Sequence, residues 1–183
     1  HCGEVSTLVL VPEVVRALKG AGQDIPVLAA GGIMTGGQMA AMMAAGAQGA
    51  WCGSVWLCTP EAETSPAFRQ KMVDARSRDT VRSKARTGKP ARQLKTAWHE
   101  AWDDPAGPGT LPMPLMGMVS EPSFAHIEKA VVNGNEQARD LVSYFVGQGV
   151  GLVEAERSCR QVVQDFREEF AEAVMGLNAM LED

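Results

Sequence analysis

The sequence predicts an α/β chain in two parts: strands alternating with helices over residues 1–60, then a mainly helical and loop-rich remainder. Two observations carry this. Apolar runs at 25–30 and 49–57 end at or contain glycines (Gly31-Gly32, Gly53), and a helical pattern precedes each. After Pro60 that alternation stops. An αβαβ order is the signature of a parallel sheet with outer helices.

The first helix is expected over 8–19, on the stripe Val11, Val14, Val15 and Leu18, with Pro12 tolerated in its first turn. Residues 25–30 read as a buried parallel strand. Residues 36–45 are rich in Ala and Met, both strong helix formers, and end at Gly46. A second buried strand is expected over 49–57, broken by Gly53. Beyond Pro60, residues 66–75 look helical, with Phe68 and Met72 four apart. Residues 76–95 carry eight basic side chains and one acid, Asp79, which read as a solvated face, with attraction for an anionic substrate or carrier as the alternative. The five prolines of 105–122 predict loop. Helices are expected near 124–132 and 136–145. The last segment, 153–181, carries Val163, Phe166, Phe170, Val174 and Leu177 on one helical face. The expected divisions are 1–60, 61–151 and 152–183.

Two parallel strands do not make a stable sheet alone, and a complete (β/α)₈ barrel needs at least about 200 residues. The chain has 183. Either a longer parent chain completes the sheet or the arrangement is a small α+β one. His1 in place of Met points to truncation.

Composition narrows the function classes. Hydrophobic residues make up 45% and charged residues 21%, as in an ordinary globular chain, which excludes a disordered tail. A net charge of −5 argues against a nucleic-acid partner. No apolar run reaches the roughly 18 residues of a membrane helix. Cys2, Cys52, Cys58 and Cys159 form no CxxC pair and, with three scattered histidines, match no zinc spacing, so no metal is expected. Reduced thiols in a cytoplasmic protein are the simplest reading. Cys52 and Cys58 are expected as small core residues, like Met34, Met39, Met42 and Met43. Met113, Met116 and Met118 fall in the proline-rich stretch, and His99 and His126 are expected at a surface or between domains.

The glycine pairs carry the chemistry. Gly31-Gly32 ends one predicted strand, and Gly53-Ser54 interrupts the next, one βα unit later. Glycine admits positive φ and close approach to the main chain. Convergent main-chain N–H groups near a helix start bind anions, as phosphate does between the last two loops of many (β/α)₈ barrels. Ser54 adds a hydroxyl donor. No GKS or GKT comes after the glycines, so this is not a P-loop.

The run PVLAAGGIMTGGQMAAMMAAGAQGAWCGSVWL resembles the C-terminal barrel segment of the nitronate monooxygenase family. HCGEVSTLVLVPEVVRAL resembles the stretch that begins at the histidine closing that family's EAGGH motif, and TGKPARQLKT and GQGVGL resemble segments further on. The resemblance covers nearly the whole chain. It implies the last part of an FMN-binding (β/α)₈ TIM barrel plus a mainly helical smaller domain. It also implies that Gly31, Gly32, Trp51, Cys52, Gly53 and Ser54 line the FMN phosphate. Trp51 and Cys52 stand where the family often has Gln-Met, and Ser54 where it usually has Thr, so side-chain contacts differ while main-chain donation survives. His1 matches the family's catalytic histidine, placed beside the flavin as base or as the group that positions an anionic substrate. The implied reaction oxidises a nitronate or nitroalkane by dioxygen to a carbonyl compound and nitrite, with no nucleic-acid or membrane partner. Oligomeric state stays open. Flavin-dependent enoyl-acyl-carrier-protein reductases share much of the pattern, and an inactive barrel remnant also fits.

Overall fold

The computed structural model describes residues 2–181. Its first half runs α1 (Thr7–Gly20), β1 (Leu28–Ala30), α2 (Gly36–Ala44), β2 (Gly49–Trp51), a 3₁₀ helix Ser54–Cys58 and α3 (Pro66–Asp74). Then come a hairpin of β3 (Thr80–Ser83) and β4 (Ala91–Leu94), α4 (Ala97–Asp103), α5 (Leu115–Val132), α6 (Glu136–Arg139) and α7 (Cys159–Ala179). The chain divides into two compact units: Gly3–Ala62 with the segment from Arg157 onward, and Glu63–Glu156 with Cys2.

In the first unit β1 and β2 pair in parallel, Leu28 opposite Gly49, Ala29 opposite Ala50 and Ala30 opposite Trp51. Strand side chains alternate between faces. Ala29 therefore joins Val11, Ile33, Met42 and Ala47 in the buried core, with Val15, Met39, Ala50, Cys52 and Phe166 packed around it. Leu28, Ala30 and Trp51 point the other way. Leu28 and Trp51 are 52% and 71% exposed, so the strands are covered on one face only, not buried on both as expected. The second strand is also shorter than its apolar run. Beyond Gly53 the backbone turns into the 3₁₀ helix, because Trp56 Nε1–H donates to the Cys52 carbonyl (2.9 Å) and Thr59 Oγ1 to the Trp56 carbonyl (2.8 Å).

Helix α7 docks on the start of α2. The Gly36 N–H donates to Glu169 Oε2 at 2.6 Å. Val162 is buried and Phe166 and Phe170 are half-buried, whereas Val163, Val174 and Leu177 are exposed, so the inward stripe is rotated from the expected one.

The Glu63–Glu156 unit corrects several expectations, and the helix expected over 136–145 is one of them, since α6 stops at Arg139. The basic stretch holds an antiparallel hairpin, with Thr80, Ser83, Ala91 and Leu94 buried. The proline-rich stretch yields to α5 at Leu115, because Pro112 and Pro114 precede the helix, where a missing N–H costs nothing. Pro122 lies inside that helix. His99, expected at a surface or between domains, is buried, as is Met116. His126 is exposed.

Arg86 is the hub of this unit. Although part of the basic run, it is 5% exposed and lies over Phe124 at 4.4 Å, with Tyr144 and Phe145 each at 5.0 Å. Its fork meets Glu121 at 2.9 and 3.1 Å, and Nη1 donates to the Ser143 carbonyl at 3.0 Å. Glu121 is half in water, so losing Arg86 leaves it hydrated. The loss falls on the charge-assisted bond to Ser143, about 1.5–3 kcal/mol, and on cation–π contacts of about 0.5–2 kcal/mol. Arg86→Met is expected to lower unfolding stability by about 3 kcal/mol in urea melts. Glu121→Gln should cost under about 1 kcal/mol.

Candidate functional site

The site is built at the carboxyl ends of β1 and β2. Gly31 and Gly32 come directly after β1 with φ of 114° and 76°, conformations that disfavour any side chain. Because Ala30 lies opposite Trp51, the Gly31-Gly32 turn stands beside the Cys52-Gly53 turn. A Cβ placed on Gly32 or on Gly53 would meet nothing within 4 Å. In the direction a side chain would take, both glycines thus face open space. A third element joins them: Thr7 Oγ1, in the first turn of α1, lies 3.0 Å from both the Ala30 and Gly31 carbonyls.

The expected cofactor residues take different parts. Gly31, Gly32, Gly53 and Ser54 lie in or next to the two turns, with Ser54 opening the 3₁₀ helix. Trp51 shares the uncovered sheet face with Leu28 and Ala30. Cys52 packs against the core, and burial pushes its thiol pKa up, which keeps it protonated and a poor nucleophile. His1 lies outside the described residues. Among those residues no His/Cys/Asp/Glu cluster is arranged to hold a metal, and no helix is long and apolar enough to cross a membrane.

Sequence reasoning missed Glu169. Its carboxylate takes the first N–H of α2, and Thr35 Oγ1 accepts from the Gln38 N–H at 3.2 Å. The start of α2 is therefore capped by protein groups. An acid between Phe166 and Phe170, on an otherwise apolar stripe, was the signal that could have revealed it.

The nitronate monooxygenase family profile matches residues 1–169. The chain belongs to this family. A nitronate monooxygenase of Pseudomonas aeruginosa is 30% identical over 166 residues, covering 89% of the chain and 44% of the relative. A Mycobacterium tuberculosis protein with a provisional monooxygenase name is 51% identical over the whole chain and 48% of its own length. Among solved structures, FabK from Thermotoga maritima is 34% identical with a TM-score of 0.72. That match covers 97% of this chain and 53% of FabK. Nitroalkane oxidase from Streptomyces ansochromogenes is 31% identical with a TM-score of 0.75, over 94% of this chain and 46% of the other. The chain spans about half the length of the relatives it matches. The fold class expected from the sequence holds: the chain is α/β, the last part of a (β/α)₈ barrel together with a mainly helical part.

Proposed function

We propose that this family member binds FMN and takes part in oxidising nitronates, or nitroalkanes after loss of the α-proton, to a carbonyl compound and nitrite with dioxygen. The observation that carries this reading is the pair of glycine turns at adjacent parallel strand ends, both opening onto unfilled space. Gly31, Gly32, Gly53 and Ser54 would hold the phosphate, chiefly through main-chain N–H groups. Main-chain donors suit a phosphate because they are fixed before it arrives. Cys52 serves through its backbone, its side chain being committed to the core. Trp51 stands on the open face beside the cradle. When bound, the flavin supplies the redox chemistry. His1 is proposed to take the α-proton of a neutral nitroalkane or to orient the anionic nitronate, since imidazole titrates near neutrality. A cytoplasmic location belongs to the same reading.

The decisive assay is nitrite release from an alkyl nitronate under air, without nicotinamide cofactor, by the polypeptide as its gene encodes it. NAD(P)H-dependent reduction of an enoyl thioester with no nitrite would replace this function by that of the reductases.

The cradle has a test independent of turnover. Gly32→Val sets a branched side chain in the open space before the turn, and each charge-assisted hydrogen bond lost costs roughly 1.5–3 kcal/mol. The FMN dissociation constant, from flavin fluorescence quenching, is expected to rise at least tenfold. Ser54→Ala should raise it less, because the N–H remains. Gly22 has the same class of backbone, φ 67°, with nothing near its absent side chain. Gly22→Val therefore controls for backbone strain and should leave FMN affinity unchanged. Equal affinities for wild type and Gly32→Val would remove this turn from the site.

A further inference from the structure

The Glu63–Glu156 unit holds three buried polar atoms that no protein group satisfies. Among the described residues, Gln93 Oε1 and Nε2 and His99 Nε2 lack a hydrogen-bond partner, with Gln93 0% and His99 1% exposed. Leaving such groups bare is costly, and buried polar atoms are nearly always paired with protein or with ordered water.

Strand register brings these residues to one interface. Ser83 lies opposite Ala91 and Val81 opposite Gln93, so Gln93 shares the hairpin face that carries Ser83. Ser83 Oγ donates to Asp103 Oδ1 of α4 at 3.0 Å, which shows that this face looks at α4. His99 precedes Asp103 by four residues and shares its side of the helix. The Gln93 carboxamide and the His99 ring are thus enclosed between the β3–β4 hairpin and α4.

The orphan atoms are complementary. The Thr96 N–H donates to His99 Nδ1 at 3.1 Å, which makes Nδ1 an acceptor and puts the neutral ring's proton on Nε2. Nε2–H is then a buried donor, and Gln93 Oε1 a buried acceptor. Buried polar atoms that protein groups leave unsatisfied are the setting in which an ordered water sits, and buried waters typically make about three hydrogen bonds. We propose that a structural water occupies this interface, accepting from His99 Nε2–H and hydrogen-bonded to the Gln93 carboxamide. It fastens α4 to the hairpin.

Electrostatics agree with a neutral ring. Burial pushes the His99 pKa down; Asp103 opposes this in part, while Arg86 and Lys71 add to it. Below the ordinary histidine pKa the unfolded chain holds the extra proton and the folded one does not. Stability is therefore complete above about pH 6.5 and falls as pH drops below it.

The test uses the full chain with ¹⁵N-labelled histidine. In the wild type, the His99 Nε2–H proton is expected to show a cross-relaxation peak to water, which Gln93→Leu abolishes or weakens. Gln93→Leu and His99→Phe should each lower Tm by about 3–8 °C. The double variant should lose less than their sum, because each single change strands the other's partner. Additive losses with no water peak would overturn the proposal. So would a scalar coupling across a direct His99–Gln93 hydrogen bond. Where a variant fails to fold, the wild-type water peak decides.

Discussion

Gly36→Ala is expected to detach α7 from α2 and unfold the Gly3–Ala62 unit at a markedly lower temperature. A Cβ on Gly36 would lie 2.0 Å from the Phe166 carbonyl oxygen and 2.6 Å from the Phe170 nitrogen. Both are helix backbone and have no rotamer by which to yield. The substitution must displace α7, losing the Gly36–Glu169 hydrogen bond and the packing of Phe166 together, on the order of 3–5 kcal/mol. Gly37→Ala, one residue on, meets only Thr35 Oγ1 at 4.0 Å. It should be neutral or stabilise by about 0.5–1 kcal/mol through helix propensity. Circular dichroism melts of the two variants provide the comparison. Similar melting of both would mean that α7 does not hold this position in solution.

His1→Asn is expected to keep FMN, since the proposed phosphate cradle lies on other loops, while slowing turnover of a neutral nitroalkane by about 10²–10⁴-fold. A pre-formed nitronate has already lost its α-proton. With His1 as base its turnover should fall much less. Comparing kcat/KM for the two substrates separates the roles: equal losses would make His1 a positioning residue for the anion.

The sequence disclosed what local chemistry decides. Strand ends capped by glycine pairs stand out because an αL turn and an open main chain both demand glycine, and Gly31-Gly32 lies where the apolar run ended. Helices α2 and α3 are legible from their composition and from glycine and proline at their ends. What stayed hidden was set by distant partners. Glu169 meets the N–H of Gly36 across 133 residues; its place on an apolar stripe marks it locally, but its partner is set by the fold. The hairpin was masked because Arg82 and Arg92, both half-buried, break the apolar alternation of a strand. Arg86 looks like any solvated arginine until three aromatic rings and a carboxylate converge on it. The burial of His99 likewise comes from the packing of α4, which its own heptapeptide does not encode.

The Gly3–Ala62 unit is discontinuous in sequence, and this shapes how the protein is made. Residues 63–156 emerge from the ribosome as one uninterrupted stretch and hold all the segments of their own unit except Cys2. The earlier βα units must wait for α7. At ordinary translation speeds of about 5–20 residues per second, the interval between Ala62 and the end of α7 is on the order of 5–25 s. During it, the surface of α2 around Gly36 and the core edge at Met39 lack their cover of Phe166 and Phe170. Synthesis that stops between Glu156 and Phe166 would thus yield an intact insert tethered to a half-built barrel segment, a natural target for chaperones and proteases. Residues 3–62 gain this cover only once α7 has been made.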